Sequence, residues 1–159
     1  MKVFGVINET SSRAKQNGLA TGYLDARQDI ESAVNYAYEL NHKKPIIILG
    51  SSYSASLALL ISTQTEKIKA VIVFRPGECL KDVKLAEEIK SLAKPTFVTG
   101  AKKEIDEISK VIRFVSSKNI TLFKPKVNGF HGSKTLWKSV EGHETFWESL
   151  EPFLSKVQN

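Results

Sequence analysis

Four short apolar runs, each fenced by proline, glycine or charge, constrain the fold of this chain more than any other feature. Ile46-Ile47-Ile48-Leu49 follows Pro45 and stops at Gly50. Ala70-Val71-Ile72-Val73-Phe74 follows Lys69 and stops before Arg75-Pro76-Gly77. Thr96-Phe97-Val98-Thr99 lies between Pro95 and Gly100, and Ile120-Thr121-Leu122-Phe123 lies between Asn119 and Pro125. The runs are β-branched and nearly continuous rather than alternating, the pattern of strands buried on both faces. Segments with helical spacing separate and follow them. Ile30, Ala33, Val34, Ala37 and Leu40 share one face of a helix expected over Asp29 to Leu40. Helices are likewise expected over Ser54 to Ser62, Asp82 to Leu92, Glu104 to Val115 and Glu144 to Lys156. Alternating strands and helices imply a parallel sheet with right-handed crossovers. The expectation is a single three-layer α/β domain over residues 1–159, with a mostly parallel sheet of about four to five strands and helices on both faces. Residues 1–28 are expected to be loop-rich, with a short strand over Lys2 to Ile7 and a turn of helix near Arg13.

Composition narrows the functional classes. A chain of 159 residues with 42% apolar and 25% charged residues is globular and large enough for a real core. Its single cysteine, Cys79, cannot form an internal disulfide, so nothing points to an oxidising compartment. The N-terminus does not read as a signal peptide, and no apolar run approaches the roughly 18 residues a membrane span needs. The chain is therefore expected to be soluble, reduced and cytoplasmic, without a membrane partner. The net charge of +6 invites comparison with nucleic-acid binders. But every basic residue except Arg13, Arg27, Arg75 and Arg113 is a lysine, and the lysines are scattered. No basic run is interleaved with aromatics, so the charge reads as a solvated surface rather than a nucleic-acid site.

The chemistry concentrates after the first apolar run, in Gly50-Ser51-Ser52-Tyr53-Ser54-Ala55-Ser56-Leu57. A buried strand runs into a tight turn and then into a helix of small residues, the setting of a nucleophile elbow. A serine in such a turn needs small neighbours two residues away on either side. Gly50 and Ser54 meet this requirement around Ser52. The Ser52 hydroxyl would then stand at the positive end of the following helix, and the Tyr53 backbone N–H could give one oxyanion donor. The simpler reading is a serine-rich helix cap or an anion site at a helix N-terminus.

Two later segments favour catalysis. The third run leads into Gly100-Ala101-Lys102-Lys103-Glu104-Ile105-Asp106, and the fourth is followed by Gly129-Phe130-His131-Gly132-Ser133. A serine, an acid and a histidine thus follow strand ends in that chain order. Glu104 is the preferred acid, with Asp106, one step deeper into a helix, as runner-up. Both could instead be carboxylates that suit a helix N-terminus. His131 lies between glycines in a loop, which argues against a core role. His42 and His143 read as surface or capping residues. The loop from Arg75 to Lys81, with Glu78 and Cys79, is the only candidate pocket lining that can be named. No metal-ligand pattern appears, and no cofactor is expected.

From Asp29 onward this order of elements resembles the C-terminal two-thirds of the α/β-hydrolase superfamily, of the dienelactone-hydrolase-like and esterase-like kind. The segments around Ser52, Glu104 and His131 carry the resemblance, with Asn8-Glu9-Thr10 and Tyr23 to Ile30 adding to it. It implies a serine hydrolase acting on a small ester or related acyl substrate, with Ser52 as nucleophile, His131 as general base and Glu104 orienting the imidazole. The last glycine of the usual elbow is here Ser54. The family's first strands, and the loop that brings a second oxyanion N–H, have no counterpart, so the expected fold is a truncated version. An exposed sheet edge beside the elbow strand would follow, and a second copy of the chain could pair with it. The alternatives are a hydrolase-like binding domain with impaired catalysis, or an anion-binding domain that uses Gly50 to Ser54.

Overall fold

The computed structural model describes residues 7–19 and 22–158. Its sheet consists of β1 (Ile46–Ser51), β2 (Ile68–Phe74), β3 (Thr96–Thr99) and β4 (Ile120–Leu122), ordered as in the chain and all parallel. Leu49 pairs with Ile72, Val73 with Val98 and Thr96 with Ile120. The helices are α1 (Ile7–Gln16), α2 (Arg27–Leu40), α3 (Tyr53–Ser62), α4 (Leu85–Glu88), α5 (Ile105–Val111) and α6 (His143–Gln158). This is the three-layer α/β architecture the apolar runs imply.

Strand order explains where the helices sit. Each crossover steps one strand in the same direction, so right-handed connections deliver α3, α4 and α5 to one face. Val71, Val73 and Val98 meet Leu57, Leu85, Ile89, Ile108 and Val111 there, and Val34 of α2 joins the same cluster. The alternate residues Ala70, Ile72, Phe74 and Phe97 point the other way and pack on Leu150 and Phe153 of α6. The Phe97 and Phe153 rings lie 5.7 Å apart. Period-two alternation with both faces covered is why the strands read as continuous apolar runs. Helix α3 is buried from Ala55 to Ser62, the most enclosed helix of the fold. Leu49, on the α6 side of β1, keeps half its surface exposed.

Three local expectations need correction. The stretch from Asn8 to Asp25, expected mainly as loop, contains the ten-residue α1. It closes with Leu19 N–H donating to Ala14 C=O and Gly18 N–H to Lys15 C=O, the bond pair of a glycine-terminated helix. The strand expected from Lys2 falls outside the described residues, apart from Ile7, which opens α1. The helices expected over Asp82 to Leu92 and Glu104 to Val115 shorten to α4 and α5. Asp82 has φ 59°, which a helix cannot continue through, and Glu78 reaches in to accept the Leu85 and Ala86 N–H groups at 2.7 and 2.9 Å. Glu104 belongs to a 3₁₀ turn, Lys102–Glu104, rather than to α5.

Candidate active site

Parallel strands ending at one edge bring their following residues together in a crevice. Ser52 follows β1, Arg75 follows β2, Glu104 follows β3 after a short turn, and His131 lies in the longer connection after β4.

The elbow is built by close approach. Ser52 has φ 59° and ψ −128°, a conformation that costs a non-glycine residue about 1–3 kcal/mol and persists only where the surroundings impose it. Here they do. The Ser52 N–H donates to Phe74 C=O at 2.9 Å, and the Ala55 N–H donates to Ser52 C=O at 3.0 Å. A Cβ at residue 50 would lie 2.5 Å from the Ser54 carbonyl oxygen and 2.7 Å from Ala55 Cα, so only glycine lets α3 start this near the strand. Ser54 has a task of its own. Its hydroxyl accepts the Ser51 N–H at 3.0 Å and donates to the Ser51 carbonyl at 2.8 Å, tying the turn across its mouth. Tyr53 opens α3, and its N–H has no acceptor among the described residues, as expected at a helix start. Its ring stacks on Tyr23 with centroids 4.5 Å apart.

Three of the residues singled out by sequence form one chain of hydrogen bonds. The Ser52 hydroxyl lies 2.9 Å from His131 Nε2, and His131 Nδ1 lies 2.7 Å from Glu104 Oε1. A carboxylate only accepts, so Nδ1 carries the proton and Nε2 is left as acceptor for the serine hydroxyl. The second oxygen, Glu104 Oε2, accepts the Ala101 N–H at 2.9 Å. The Arg75 Nε stands 3.7 Å from Oε1, a longer ion pair beside the same oxygen. The Glu104 side chain is only 12% exposed, whereas that of His131 is 54% exposed. Asp106, the runner-up acid, is exposed in the first turn of α5 and makes no hydrogen bond or ion pair among the described residues. The 3₁₀ turn before α5 separates the two carboxylates, turning one back to the sheet edge and leaving the other on the surface.

The His131 segment is anchored at several points. Lys102 N–H donates to Asn128 C=O at 2.9 Å, linking the Glu104 turn to the approach to His131. After the histidine, Gly132 has φ 66° and the Ser133 N–H donates to Ser51 Oγ at 2.9 Å. No local pattern in the sequence marks Ser51, and Arg75 reads only as the start of the loop expected to line a pocket. The contact between Ser51 and Ser133 spans 82 positions and leaves no local pattern to read.

Other chemistry-bearing residues lie elsewhere. Glu78 caps α4, and Cys79 is partly buried with its Sγ 3.6 Å from the Ser56 hydroxyl, which also accepts the Gly77 N–H at 3.0 Å. The loop after β2 is thereby pinned to α3. His143 Nδ1 lies 3.0 Å from Val140 C=O at the start of α6, and His42 is exposed. At the opposite end of the sheet, burial pulls the Lys94 ammonium below its ordinary range while the charge of Glu66 pulls the other way. The Lys110 ammonium is raised by its hydrogen bond to Glu107 on the surface of α5. Among the described residues no three His, Cys, Asp or Glu side chains are grouped to hold a metal ion. No helix among them is long and apolar enough to cross a membrane. No family model matches the chain, and none of the curated proteins or solved structures matches it either.

Proposed function

We propose that this protein is a serine hydrolase acting on an ester or related acyl compound, a small-molecule substrate rather than a nucleic acid, in the cytoplasm. The observation that carries the reading is the continuous hydrogen-bond chain from Ser52 through His131 to Glu104, with Ser52 held in a positive-φ turn at a helix start. Each member has the role its neighbours allow. His131 Nε2 accepts the Ser52 proton as Oγ attacks the acyl carbon. Glu104 fixes the tautomer and steadies the imidazolium that forms. The Tyr53 N–H faces the developing oxyanion at the N-terminus of α3. The imidazolium returns its proton to the departing alkoxide as the ester C–O bond breaks, so the alcohol leaves and an acyl-Ser52 remains. Water then attacks the acyl group, His131 takes the water proton and passes it to Ser52 Oγ as the acyl C–O bond breaks, and the acid leaves with Ser52 restored. No step calls for a cofactor. A short 4-nitrophenyl ester should be turned over by the protein and not by Ser52→Ala; equal turnover by both would reject the assignment.

A second reading, a hydrolase-like binding domain with impaired catalysis, is favoured by one observation. β1 lies at one edge of the sheet, so among the described residues no strand beyond it brings a second oxyanion N–H. Losing one such donor costs about 2.7–4 kcal/mol, or roughly 10²–10³ in rate. That reading gives a substrate-like ligand bound without turnover.

The same edge carries the proposed partner, a second copy of this chain. Among the described residues no strand pairs with the outer side of β1, and β1 holds neither charge nor proline, the usual guards of an edge. A dimer is expected by light scattering at micromolar concentration, and a monomer would reject it.

A further inference from the structure

We propose that Ser51 is a positioning residue for His131, hanging the base from the same strand end that presents the nucleophile. The inference rests on the reading of His131 as the base. The His131 side chain is 54% exposed, so its ring is not held by packing. Its two hydrogen bonds aim it only if its backbone stays in place. The next two residues do that work. Ser133 is the second residue of the 3₁₀ turn Gly132–Leu136, so its N–H is one of the donors a helix start leaves without an intrahelical partner. The residue before that turn, His131, does not cap it with its side chain. Ser51 Oγ, from the end of β1, accepts the Ser133 N–H instead, at 2.9 Å.

Gly132 makes the contact possible. Its φ of 66° turns the chain toward β1, and a Cβ there would run into Ser51 Oγ. Ser51 is itself fixed, because its N–H and C=O are both engaged by the Ser54 hydroxyl. The anchor lies one residue before Ser52 and two residues after His131. A shift of the β1 end therefore carries nucleophile and base together, and the Ser52–His131 distance is kept. Ser51 touches no reacting atom; it acts through backbone placement. Misplacement of a reacting group by about 1 Å can cost on the order of 10²-fold in rate.

The test reads the imidazole directly and does not need activity. In the full chain with ¹⁵N-labelled histidine, above the imidazole titration range, the His131 ring resonances are identified by their loss in His131→Gln. The wild-type ring should show one tautomer, protonated at Nδ1. Ser51→Ala should move it toward a mixture of tautomers and slow phosphonate labelling of Ser52 by on the order of 10²-fold, while the unfolding midpoint falls by only about 2–4 °C. Ser51→Thr, which keeps the hydroxyl, should restore both readouts, and Ser133→Ala, which keeps the backbone donor, should leave both as in wild type. Wild-type ring resonances in Ser51→Ala, or an equal loss in Ser133→Ala, would overturn the proposal. A Ser51-dependent tautomer in a wild-type chain that phosphonates never label would support the positioning role while removing the hydrolase reading.

Discussion

Ser52 and His131 stand 2.9 Å apart, yet the molecule holds them there by different means. Ser52 is imposed by the core. It sits between a strand paired along its length and a helix buried from Ala55 to Ser62, and its strained backbone is bonded to Phe74 and Ala55. His131 lies in an exposed connection and is held by a few polar contacts, to Ser52, to Glu104 and, through Ser133, to Ser51. Packing fixes one partner and hydrogen bonds fix the other. The proposed nucleophile should therefore fail only when the fold fails, while the proposed base can be lost with the fold intact.

Glu104→Gln is the largest expected break in that comparison. The amide can present its N–H₂ to Nδ1 and favour the wrong tautomer, so phosphonate labelling of Ser52 should slow by about 10⁴-fold. Urea denaturation should meanwhile show a midpoint close to wild type. A comparable loss of stability would mean that the acid is part of the fold's support. Gly50→Ala probes the other half. A Cβ there meets backbone atoms of Ser54 and Ala55, which cannot swing aside. Overpacking of that kind costs typically about 1–3 kcal/mol, and this case should fall at the upper end, as a lower urea midpoint. If stability holds and only labelling falls, the elbow is not built by the core. Asp106→Asn is the smallest change, within about 0.5 kcal/mol in stability and without effect on labelling. A loss comparable to that of Glu104→Gln would hand the acid's role to Asp106.

The same division explains what could be read from the sequence. Strands β1 to β4 announce themselves because burial on both faces forces apolar, β-branched runs between Pro45, Gly50, Pro95, Gly100 and their like. The elbow is legible for a related reason, since a strand packed this near a helix needs Gly50 and small residues after it. Interactions among distant polar groups leave no such trace. Depth into the expected helix ranks Glu104 ahead of Asp106, but both suit a helix start; the 3₁₀ turn ahead of α5, where Glu104 meets His131, has no signature in period or charge. The apolar spacing of Val83, Leu85, Ala86 and Ile89 reads as a long helix, but Glu78 caps it at Leu85 and shortens it. Helix α1 was obscured by its polar composition, although Arg13 and Lys15 in its last turn and Gly18 beyond it are ordinary stop signals.

The central claim is that Ser52, His131 and Glu104 act as one unit. Intact-protein mass spectrometry after exposure to a fluorophosphonate tests it most directly. A single adduct should form on Ser52 in the wild-type chain, be absent in Ser52→Ala, and form far more slowly in His131→Gln. An adduct on another residue, or labelling of Ser52 at the wild-type rate without His131, would contradict the account.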